Sequence, residues 1–128
     1  MTDDERTVWN RACYFGIKKT DGLKEGDVAL GALLLAHNYI CNGGVYHGIV
    51  ECLSSDQFKE ACKGYRYFGF SGTADLLEKA RNEFNEFDES IGDKDNKLNK
   101  IYYTTTTDKE ITERFNEHFK KHRELYAP

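Results

Sequence analysis

Asp27-Val28-Ala29-Leu30-Gly31-Ala32-Leu33-Leu34-Leu35-Ala36-His37-Asn38-Tyr39-Ile40-Cys41-Asn42-Gly43-Gly44 is the stretch that decides the fold class. From Val28 to Ala36 it contains no polar side chain, so a helix there has no face for water and belongs at the centre of the molecule. Asp27 is placed to cap that helix, which is predicted to run from Val28 to about Cys41, and Gly31 leaves room for a neighbour to come close. Gly43-Gly44 then ends it, because glycine reaches left-handed backbone conformations without steric cost. Val45 opens the next segment almost at once, predicting a short helix to about Leu53.

Toward the N-terminus, Val8, Trp9, Ala12, Cys13 and Ile17 recur at helical spacing, predicting a first helix from Asp3 to Lys19 with Trp9 as a core anchor and a turn at Thr20-Asp21-Gly22. Toward the C-terminus, Ser54 and Gln57 form a capping box for a helix with Phe58, Ala61, Cys62 and Tyr65 on its apolar stripe, broken at Gly69. A long helix from about Ser71 to Phe87 comes next, then an exposed loop from Asp88 to Lys100, then a threonine linker. Thr107 and Glu110 suggest a second capping box, for a last helix from Asp108 to about Tyr126. The expectation is an all-α fold: a single compact domain, residues 1–128, of about six helices around the buried central helix 28–41, with no substantial sheet.

A chain of 128 residues with 39% hydrophobic residues, 13% aromatics and its one proline at Pro128 can bury a sizeable core unaided. The formal net charge is −4, which argues against direct nucleic-acid binding. The acids are unevenly placed. Asp75 to Asp95 holds eight acidic residues against three basic ones, a net −5, so the remainder of the chain is close to neutral at +1. No apolar run is long enough to span a bilayer and the N-terminus lacks the pattern of a secretory signal, so the expected location is the cytoplasm, with no membrane contact. Cys13, Cys41, Cys52 and Cys62 are irregularly spaced and read as small buried apolar residues.

His37 and Cys41 share a helical face and His47 and Cys52 follow, so a metal site can be drawn, but the ligand spacing is not that of zinc sites. Cys41 or Cys52 with His47 or His118 could likewise form a nucleophile and base, though no signature surrounds either cysteine. The reading is therefore no cofactor, no metal and no catalysis, with a small Cys/His hydrolase or metal protein as the remote alternative. Glu86, Asp88 and Glu89 read as a solvated face with nothing to separate their pKa values. Most of the Tyr65-to-Phe70 aromatics read as core, with Arg66 and Tyr67 facing outward.

Asn42-Gly43-Gly44-Val45-Tyr46-His47, the Ala61-to-Gly69 helix end with its aromatic-glycine step, Ala74-Asp75-Leu76-Leu77-Glu78-Lys79-Ala80 and the pair Tyr102-Tyr103 together make the chain resemble a bacterial DNA-mimic-like helical domain family. The resemblance spans Val28 to the C-terminus. It implies an all-helical, protein-binding domain, acting as an acidic surrogate for DNA in at least one member and resembling the immunity proteins that accompany bacterial toxins in others. A charge of −4 is low for a duplex mimic, which puts an immunity protein first and a DNA mimic second. The partner is then a cognate toxin, possibly a nuclease, or a DNA-binding protein. The expected contacts lie in the acidic segment and beside it: Glu83, Glu86, Asp88, Glu89, Asp93, Asp95, Tyr67 and Tyr103.

Overall fold

The computed structural model describes residues 1–14 and 22–128. Among these the regular elements are all helical: α1 (Asp3–Cys13), α2 (Glu25–Gly43), a π-helical segment (His47–Cys52), α3 (Ser55–Tyr67), α4 (Ser71–Glu83), α5 (Ile91–Thr105), α6 (Asp108–Lys121) and a closing 3-10 turn (Arg123–Leu125). The all-α expectation holds. No helix among the described residues is long and apolar enough to cross a membrane.

α2 is the axis, as its sequence dictates. Leu30, Leu33, Ala36 and Ile40 are wholly buried, each large side chain contributing about 1.5–3 kcal/mol through removal from water. The helix begins three residues earlier than expected. Asp27 therefore sits inside its first turn, where it accepts from the Lys24 N–H at 3.1 Å. α3 packs along α2 at very short range: a β-carbon on Gly64 would stand 2.4 Å from the Ala29 carbonyl oxygen. The close approach falls at Gly64, a position the sequence pattern did not single out.

α1 starts at a Thr2–Glu5 capping box and turns its buried Val8 and Ala12 to the core. It is described to Cys13; residues 15–21, with the rest of the expected helix to Lys19 and most of the expected turn, lie outside the described part. Trp9 is only half buried, its ring 5.6 Å from that of Phe115. The Ser54–Gln57 capping box forms as read, and Thr107 accepts from the Glu110 N–H at 3.1 Å to start α6. One apolar cluster takes side chains from all six α-helices, from Val8 to Tyr126.

Four expectations about extent and burial are overturned. α4 stops at Glu83 because Phe84 turns extended, and Phe87 is 85% exposed instead of continuing the apolar face. The expected loop from Asp88 to Lys100 is mostly helix: α5 occupies Ile91–Thr105 and takes in Thr104 and Thr105. Its pattern was thin because Tyr102 is its one buried residue. α6 closes at Lys121, and Tyr126 reaches the core from beyond the 3-10 turn. Of the four cysteines, Cys62 alone is buried; Cys13 and Cys41 are exposed and Cys52 is intermediate, since helix phase turns them off the core.

Candidate protein-binding face

The Asn42-to-His47 turn is held from outside by α5. Gly44 has φ +100°, which a side chain would resist, and a β-carbon there would also meet Asn99 at 3.1 Å. The chain restarts as a helix at Val45 with free backbone N–H groups. Asn99 accepts from the Val45 N–H at 2.7 Å and Asp95 from the Tyr46 N–H at 3.2 Å. Two residues one turn apart on α5 thus cap a helix start more than forty positions away. The sequence gives no local signal for this, since both caps come from a distant helix.

The turn and the α4–α5 connection together enclose an open cleft of about 410 Å³, lined by Gly43, Tyr46, His47, Glu51, Phe84, Glu86, Ile91, Gly92 and Asp95. Its floor is apolar: the Tyr46 and Phe84 rings lie 5.0 Å apart, tilted by 59°. Its walls carry Glu51, Glu86 and Asp95. Burial pushes the Tyr46 hydroxyl up from its ordinary pKa, and Asp95, Asp88 and Glu83 add to the shift against an opposing contribution from Lys94.

The expected contact residues separate into three groups. Glu83, Glu86, Glu89 and Asp93 are exposed and form no ion pair among the described residues. Asp88 is engaged: it pairs with Lys94 and accepts from the Ser90 N–H at 2.9 Å and hydroxyl at 2.7 Å, and these contacts, led by Lys94, lower its pKa to about 2. The expectation of unshifted carboxylates in this stretch therefore fails at Asp88. Asp95 is committed in part to the Tyr46 N–H. Earlier in the acidic segment, Arg66 pairs with both Asp75 and Glu78, so the charge that remains uncompensated is concentrated at the α4–α5 connection.

The two tyrosines are more structural than their exposure in the sequence pattern suggested. Tyr103 is 43% exposed, yet its hydroxyl donates to the Ile40 carbonyl at 2.9 Å. Tyr67 packs against the core with its hydroxyl buried and without a partner, on the side of the molecule that carries His118, 4.7 Å ring to ring. Arg66 is exposed as expected.

The histidine and cysteine candidates resolve into two arrangements. His37 is buried, with Tyr102 Oη 2.7 Å from Nδ1 and Asp108 Oδ1 2.6 Å from Nε2, and Tyr65 Oη lies 2.7 Å from Tyr102 Oη. A proton on Nε2 satisfies the whole chain: Tyr65 donates to Tyr102, Tyr102 to His37, and His37 to Asp108. Cys41 Sγ is 3.5 Å from that same Nε2, which is already donating to Asp108 and cannot serve as its base. Burial and the Asp108 charge push the Cys41 thiol up, away from thiolate.

Cys52 Sγ lies 3.3 Å from His47 Nε2, and His47 Nδ1 lies 3.0 Å from Glu51. That is the order of thiol, base and carboxylate, but Cys52 is absent from the cleft lining that His47 and Glu51 share, so the thiol does not face the space a substrate would fill. Among the described residues no group of three or more His, Cys, Asp and Glu side chains is arranged to hold a metal ion.

The family model described as DMP19-like protein matches residues 21–127. The chain belongs to this DNA-mimic-like family. The match takes in everything from the start of α2 through Tyr126, including both walls of the cleft, and leaves α1 outside it. No curated protein and no solved structure matches the chain. The DMP19-like assignment agrees with the resemblance read from the Asn42-to-His47 turn and from Ala74 to Ala80.

Proposed function

We propose that this DMP19-like chain is a protein-binding inhibitor in the cytoplasm that offers carboxylates in place of DNA phosphates to a DNA-binding protein, and that it performs no chemistry of its own. Four exposed carboxylates that form no ion pair among the described residues, Glu83, Glu86, Glu89 and Asp93, gathered at one helix connection of a DNA-mimic-like fold, carry this reading. A surface that binds DNA is basic, and a local run of acids attracts it over roughly a Debye length, about 8–10 Å at physiological salt. The modest total of −4 is compatible with this because charge elsewhere nearly cancels.

The family match supports a DNA-binding partner over a toxin, so the toxin-inhibitor reading drawn from the sequence moves behind it. The test is to pass DNA-cellulose-retained proteins of the source cell over the immobilised chain, then purify and titrate any protein that binds. Binding that duplex DNA competes away, and that weakens steeply with salt, is the expected result. Failure of every DNA-retained protein to bind would sink the proposal, as would a bound protein indifferent to duplex DNA.

A further inference from the structure

We propose that the cleft between the Gly43-to-Glu51 wall and the start of α5 is a socket for an arginine side chain of the bound protein. This rests on the DNA-mimic reading and names the contact chemistry it uses. Tyr46 and Phe84 line the cleft with their rings 5.0 Å apart, Ile91 adds an aliphatic edge, and Glu86 lines it with no ion-pair partner among the described residues. Asp95 spends one oxygen on the Tyr46 N–H; its Oδ2 lies nearer the Gly44 backbone, 3.3 Å from where a β-carbon would sit. Glu51 is held by His47.

The lining therefore combines aromatic rings with carboxylates, and its carboxylates outnumber its cations, since Lys94 stands opposite Asp88 and is paired there. A planar guanidinium suits such a site. It stacks on an aromatic face through its flat side and donates two parallel hydrogen bonds to a carboxylate through its edge, whereas an ammonium offers a compact, strongly hydrated charge. The chain uses the same pairing internally: the Arg114 guanidinium sits 4.2 Å from the Phe70 ring centroid and that of Arg81 4.9 Å from Phe58. Arginine also makes the commonest specific base contact in DNA recognition, so a protein that reads DNA carries side chains able to enter the socket.

The experiment titrates the ¹⁵N-labelled chain with acetyl-Gly-Arg-Gly-amide, with the lysine and norleucine peptides alongside. The expected result is a saturable shift of the Gly43, Gly44 and Gly92 amides and the Tyr46 ring, stronger for arginine than lysine and absent for norleucine. Glu86→Gln weakens the response about threefold and Glu86→Lys abolishes it, while Glu113→Gln, an exposed change on α6, leaves it unchanged. Shifts centred elsewhere, a norleucine response equal to that of arginine, or a Glu86→Gln response equal to wild type would overturn the proposal. Arginine-peptide binding with no duplex-competed protein partner would leave the socket standing and remove the DNA-mimic reading. A duplex-competed partner with no peptide response would do the reverse.

Discussion

Arg11 of α1 reaches Asp27 in the first turn of α2 with Nη2 2.6 Å from Oδ1, and this ion pair joins α1, which lies outside the family match, to the body of the fold. Asp27 is 2% exposed, and its second oxygen accepts from the Lys24 and Ala127 N–H groups at 3.1 and 2.7 Å. One carboxylate thereby gathers α1, the start of α2 and the C-terminal segment. Asp27→Ala, which orphans two backbone donors and takes the carboxylate from the Arg11 guanidinium, should cost on the order of 3 kcal/mol in urea unfolding. Arg11→Met leaves the backbone donors in place, and its expected cost is smaller, about 1–2 kcal/mol.

The directed chain from Tyr65 to Asp108 predicts unequal effects for its two tyrosines. Tyr102→Phe leaves a buried Tyr65 hydroxyl and His37 Nδ1 without partners, a loss of about 1–3 kcal/mol for each group. Tyr65→Phe removes only the first donor and should cost about 1 kcal/mol. Equal losses by denaturant titration would contradict the chain's central place for Tyr102.

Two glycines in helices should respond in opposite ways to alanine. Gly64→Ala places a β-carbon against the Ala29 carbonyl and forces α2 and α3 apart, an overpacking cost of about 1–3 kcal/mol. Gly72 has nothing within 4 Å of that position, so Gly72→Ala should stabilise α4 by about 0.5–1 kcal/mol. Thermal melting of the two variants checks the contrast in sign.

Asp88 gives the α4–α5 connection an acid-sensitive contact. Its pKa in the fold is about 2 against an ordinary 3.8, so its contribution is fully present above 3.8 and disappears as pH falls toward 2. The Ser90 amide should lose hydrogen-exchange protection over that window. Asp88→Asn should abolish the pH dependence, and a Ser90 amide equally protected at pH 5 and pH 2 in the wild type would contradict the assignment.

Native-state alkylation should rank the thiols by their neighbours. Cys41, though exposed, is pushed up by burial and Asp108 and should react slowly with iodoacetamide, and Cys62, held at about 11, more slowly still. Peptide mass mapping over time reads all four sites.

The parts of the fold visible in the sequence are those where a local pattern carries the structure. Val28 to Ala36 announces a buried helix because it has no polar face, and Ser54 with Gln57 marks a helix start because both caps are local. α5 escaped for the opposite reason. Its polar residues make contacts in three dimensions, with Asn99 and Asp95 capping a remote turn, and a single buried tyrosine gives no periodicity to read. The acidic segment was legible as charge, but which carboxylates remain uncompensated depends on Arg66 and Lys94 reaching across, and the cleft exists only because residues near 45 and near 90 converge.

The π-helical segment from His47 to Cys52 holds one residue more than an α-helix of the same rise, as the Leu53 N–H bonding back to the Gly48 carbonyl records. It acts as a phase shifter. The wider turn takes up that residue, so that Ile49 and Leu53, four positions apart, both lie buried before Leu53 turns extended and hands the chain to α3. Deleting Val50 would draw Leu53, and the Ser54 cap behind it, back by one residue and disturb the start of α3 although no core side chain had been altered.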